Sequence, residues 1–94
     1  MLEKITPEND IKLSDKQWDA IEELIAALGV QKDFEVSTVR GERCVFDREE
    51  DRPLFTPFAI EHLAKLVDKP LTDYGLDAEA VSTLEVVFAL VKKG

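Results

Sequence analysis

The chain is poor in the residues that usually carry chemistry. It holds one cysteine, one histidine, one methionine, one tryptophan and one tyrosine. A single cysteine excludes an internal disulfide and fits a reducing compartment. One Cys with one His cannot make a structural zinc centre, which takes four such ligands. The glycines fall singly, at 29, 41, 75 and 94, so there is no clustered glycine loop followed by lysine to cradle a phosphate. The longest apolar run, Val86–Val91, spans 6 residues, against the roughly 20 of a membrane-crossing helix. The first ten residues carry acids and no apolar stretch of the kind a signal peptide needs. The expectation is a cytoplasmic protein with no membrane partner and no cofactor.

Positive charge is also scarce. Twelve bases face 20 acids, for a net charge of −8. Direct binding to nucleic acid relies on Lys and Arg neutralising phosphates, so this balance argues against it, and equally against anionic membrane surfaces. Basic proteins remain open as partners. Colloidal solubility is the plain alternative explanation for the charge.

What is present suits one small globular domain over residues 1–94, with 45% apolar and 34% charged residues. A first helix is expected over Asp15–Leu28. Ser14 and Gln17 form a capping box, and Gly29 suits a left-handed C-terminal stop. Trp18, Ile21, Leu24, Ile25 and Leu28 make its apolar stripe, with Leu13 stapled to Trp18. Residues 34–47 read as a β-hairpin turning at Gly41. A two-residue loop, Arg40-Gly41, would put Phe34 and Val36 opposite Asp47 and Val45. A three-residue loop, Val39-Arg40-Gly41, pairs Phe34 with Phe46 and Val36 with Cys44 and gathers all four on one face. The second register satisfies both pattern and turn chemistry and is the one expected. It buries Cys44 and Phe46 and turns Arg43 outward.

Residues 47–53 read as a charged connection. Thr56 as N-cap and Pro57 at the first position open a second helix that ends near Asp68, before Lys69-Pro70. Its apolar side is Phe58, Ile60, Leu63, Leu66 and Val67. A third helix follows Asp77 as cap and runs to about Lys92, with Leu76 stapled to Val81 and an apolar set too wide for one face. The predicted fold is α+β: helix, hairpin, helix, helix, with a small antiparallel sheet covered by helices on one face. A third strand is expected, because two strands alone are marginal, and the N-terminal segment is the candidate for it.

No catalytic set emerges, and the protein is not expected to be an enzyme. Cys44 and His62 are the only thiol and imidazole, and nothing around them supplies a nucleophile elbow or an orienting group. Asp47, Glu49, Glu50 and Asp51 lack the spacing and central glycine of a calcium loop. Phe34 and Phe46 have no basic setting for stacking on RNA.

Every arginine lies within 13 residues, at 40, 43, 48 and 52, and no lysine lies between Lys32 and Lys65. Arginine binds carboxylates bidentately and is enriched at interface hot spots, where lysine is depleted. Arg40, Arg43, Arg48 and Arg52 are therefore the candidate partner interface. The alternative is pairing with neighbouring acids such as Glu35 and Glu49–Asp51, worth about 0–1 kcal/mol each. Val86 and Leu90 are the candidate homodimer interface on the third helix. The resulting expectation is a non-catalytic protein-binding or regulatory module. Behind it stands an acidic mimic of nucleic acid that inhibits a basic protein, of the type phages and mobile elements encode, supported by Asp15, Asp19, Glu22 and Glu23. A small enzyme ranks third.

Overall fold

The computed structural model describes residues 12–93. Helix α1 spans Asp15–Leu28. Its capping box is formed: the Gln17 N–H donates to Ser14 Oγ at 3.2 Å, and the Ser14 N–H donates to Gln17 Oε1 at 2.8 Å. Each bond satisfies an amide that the first turn would leave without a partner. At the other end Gly29 takes φ 76°, and its N–H reaches the carbonyls of Ile25 and Ala26. Trp18, Ala20, Ile21, Leu24 and Ile25 are buried.

Strands β1 (Phe34–Val39), β2 (Glu42–Asp47) and β3 (Arg52–Leu54) form an antiparallel sheet in the order β1-β2-β3. The hairpin takes the two-residue loop, contrary to the expected register. Val36 pairs with Val45, Phe34 with Asp47 and Val39 with Glu42. Arg40 and Gly41 both have positive φ, 56° and 83°, the signature of a type I′ turn, whose twist matches that of the strands it joins. The third strand decides between the registers. It comes from Arg52–Leu54, the end of the supposed connection and the residue after it, and it sets Leu54 opposite Val45 and Pro53 opposite Phe46. Counting apolar residues within the hairpin alone misses Leu54, which joins Val45 on the helix-covered side, both buried. Cys44 and Phe46 therefore lie on the open face, and Arg43 lies on the face that α1 covers. The N-terminal candidate for that strand, residues 1–13, falls almost wholly outside the described residues.

Helix α2 spans Thr56–Leu66. Its N-cap is Phe55, not Thr56, because the chain passes from β3 into the helix through that one extended residue. Thr56 is buried in the first turn instead. Ala59, Ile60 and Leu63 face the core, while Phe58 and Leu66 are exposed, a narrower apolar side than expected. A single 3-10 turn, Leu71–Tyr74, leads to helix α3, Ala78–Lys93. Asp77 caps α3 as expected, with its Oδ1 accepting from the Ala80 N–H at 2.8 Å.

Helix α1 packs over β1, α2 packs over β2, and α3 packs against α1 and α2. Ile21, Leu24, Val45, Ile60, Leu63, Leu84 and Val87 are the fully buried centre. The sheet thus has helices on one face, as the sequence implied. No described helix is long and apolar enough to cross a membrane.

Candidate interaction surface

The hairpin presents three features to solvent: its tip, the open face of the sheet and the outer edge of β1. The tip is Arg40, exposed and held in a left-handed backbone that L-residues other than Gly, Asn and Asp seldom adopt. Among the described residues it joins no ion pair.

The other three arginines of the predicted interface pair within the chain. Arg43 reaches Asp19 at 3.3 Å and Asp15 at 3.6 Å on α1, with 28% of its side chain exposed. It pins the hairpin to the helix rather than facing outward. Arg48 meets Glu35 across the strands at 3.5 Å, and Arg52 Nε donates to Glu50 Oε1 at 3.0 Å. The β2–β3 loop is shaped by its own acids. Asp47 Oδ1 accepts from the N–H groups of Glu49 and Glu50 at 3.0 and 3.1 Å, and Asp51 takes φ 58°. This is an Asx turn. Among the described residues no group of three or more His, Cys, Asp or Glu is placed to hold a metal ion.

The open face carries Val39, Cys44, Phe46 and Pro53, with Glu35, Ser37 and Glu42 around them. These positions follow from strand alternation in the observed register. Cys44 is half-buried, and this desolvation pushes its thiol above the ordinary range, so it is a weaker nucleophile than a free thiol at neutral pH. His62 stacks edge-on against Phe34, ring centroids 5.4 Å apart. Phe34 belongs to the helix-covered face, so the sheet separates His62 from Cys44 and they form no nucleophile–base pair.

The edge of β1 is a feature that sequence reasoning missed. The Arg48 N–H donates to the Asp33 carbonyl at 2.8 Å. With the Val39–Glu42 closure, this fixes which residues turn their backbone groups toward β2: Asp33, Glu35, Ser37 and Val39. Phe34, Val36 and Thr38 turn theirs to the outside. The Phe34 N–H is satisfied by the Val30 carbonyl at 3.0 Å. The N–H and C=O groups of Val36 and Thr38 have no strand partner among the described residues. The two sheet edges differ in kind. β3 is three residues long and contains Pro53, whose missing N–H falls on the outer side, a common guard against edge pairing. β1 is six residues long, FEVSTV, without proline or lysine. The absence of these guards from residues 34–39 was the signal in the sequence, readable only once that strand is known to be an edge.

Val86 and Leu90 of α3 are 51% and 39% exposed, and so stand on the surface of the helix bundle. Comparison with known proteins finds no matching family model, no matching curated protein and no matching solved structure.

Proposed function

We propose that the protein is a non-catalytic binding module that receives an extended segment of a partner protein along the outer edge of β1, with Arg40 engaging an acidic group of that partner beside the tip. The observation that carries this reading is the contrast between the guarded edge at β3 and the edge of β1, which no other strand among the described residues pairs. A strand added there gains main-chain hydrogen bonds at Val36 and Thr38, while alternate side chains reach the apolar open face. Arg40 supports it as the arginine left without an internal ion pair among the described residues, on a backbone conformation that is costly for it.

Thr38→Pro tests the reading. Proline there removes an outward N–H and leaves the β1–β2 ladder intact. Thermal melting of the variant should stay close to that of the parent. A photocrosslinker at Thr38, expressed in the native host, should capture a discrete partner that a crosslinker at Glu22 on α1 does not, and Thr38→Pro should abolish its binding. Undiminished binding by a folded Thr38→Pro chain would sink the proposal.

Self-association through Val86 and Leu90 is a second reading, supported by their exposure. The acidic-mimic reading stands behind both. Arg43 lies against Asp15 and Asp19, and Lys16 pairs with Glu79 at 2.6 Å, so the acidic side of α1 mixes both signs. Mimicry of phosphates would give partner binding that weakens steeply with salt.

A further inference from the structure

A groove of about 410 Å³ lies where α2, the connector after it and α3 meet. Its floor is Ile60, Ala64, Val67, Leu71, Phe88 and Val91. Its rim carries Lys65 and Lys69, with Glu61 as the one acid among the described residues. These two lysines are the only lysines or arginines in residues 53–91, and both border the same apolar hollow. Lys69 Nζ sits 4.8 Å from the centre of the Tyr74 ring, a contact worth about 0.5–1 kcal/mol at an exposed site. The Tyr74 hydroxyl in turn accepts from the Asp68 N–H at 3.0 Å and donates to Asp68 Oδ1 at 2.9 Å. Two lysines at the mouth of an apolar hollow, on a chain of net charge −8, are complementary to one class of small molecule.

We propose that this groove binds a medium-chain carboxylate, its alkyl chain on the floor and its anionic end beside Lys65 and Lys69. Mostly apolar clefts of a few hundred Å³ with a few placed polar groups are the usual form of a small-molecule site. At about 30 Å³ per non-hydrogen atom, the volume share of a water molecule, the groove takes roughly a dozen such atoms, the size of decanoate. An alkyl cation of the same length would fit the floor and be repelled at the rim, so the charge at the mouth sets the selectivity.

Two-dimensional amide and methyl NMR of the full chain, titrated with sodium decanoate and separately with decylammonium, tests this. Decanoate should bind saturably, with a Kd of about 0.1–1 mM for a ligand of this size, and shift the signals of Ala64, Val67, Phe88 and Val91. Decylammonium should bind at least about tenfold more weakly, the factor that corresponds to 1.4 kcal/mol. Lys65→Glu with Lys69→Glu should reverse that preference, and Ala64→Trp should fill the floor and abolish both. Because Ala64→Trp could disturb packing, the exposed double charge reversal carries the decision if that variant is not folded. No saturable shifts below about 5 mM decanoate, shifts centred elsewhere, or equal binding of the two ions would each overturn the proposal. None of these readouts depends on the β1 edge, so its failure and that of the binding-module reading are separately visible.

Discussion

At the scale of single residues, Arg40 shows most clearly a conflict between local stability and use. The first position of a type I′ turn favours Asn, Asp or Gly, because φ is positive there and a longer side chain crowds its own backbone. Arg40 sits there at φ 56°. Arg40→Asn should therefore stabilise the fold by about 1 kcal/mol, raising Tm by about 4–8 °C in a domain of this size, while weakening partner binding. A melting temperature equal to or below the parent's would show that the turn is not strained. Arg43, Arg48 and Arg52 illustrate the limit of composition. The block of arginines was plain in the sequence, but a composition cannot say which member finds a carboxylate 24 residues away, as Arg43 does on Asp19. That pairing depends on the face of the sheet, and the face depends on register.

At the scale of elements, the helices were legible and the sheet was only partly so. Helix signals are local. Ser14 and Gln17 close a box three residues apart, Gly29 stops the helix it follows, and Asp77 caps α3 within its own turn. Strand register is not local, since a change of one loop residue moves every side chain of the second strand to the other face. Here it rested on Leu54, in a segment too short and too charged to read as a strand. Two near-isosteric changes test the outcome. Val45→Thr places a hydroxyl at a fully buried position and should cost about 1–3 kcal/mol. Cys44→Ser, on the open face, should stay within about 0.5 kcal/mol of the parent. Urea melts giving the opposite order would return the hairpin to the three-residue loop.

At the scale of the whole molecule, one layer of helices on one face of a three-stranded sheet leaves surface that a larger domain would cover. Exposed Val86 and Leu90 of α3, exposed Phe58 and Leu66 of α2, and a sheet face that no described helix covers are all consequences of that economy. A net charge of −8 opposes self-association at low ionic strength, and screening weakens this repulsion. Light scattering at high protein concentration should show the mass rising toward that of a dimer as salt is added, and Leu90→Glu should hold it at the monomer. A parent that stays monomeric throughout would remove α3 as a self-association surface.

The sequence by itself determined the α+β class, the three helices with two of their three N-terminal caps, the most deeply buried residues of α1 and the hairpin's position, because capping and amphipathic periodicity act between residues a turn or two apart. Tertiary structure alone decided the strand register, the source of the third strand, the partners of Arg43, Arg48 and Arg52, the edge of β1 left unpaired among the described residues and the lysine-rimmed groove. Each of these depends on which segments distant in the chain come to lie side by side. That choice is made by burying the most apolar surface of the whole molecule at once, and no window of the sequence contains it.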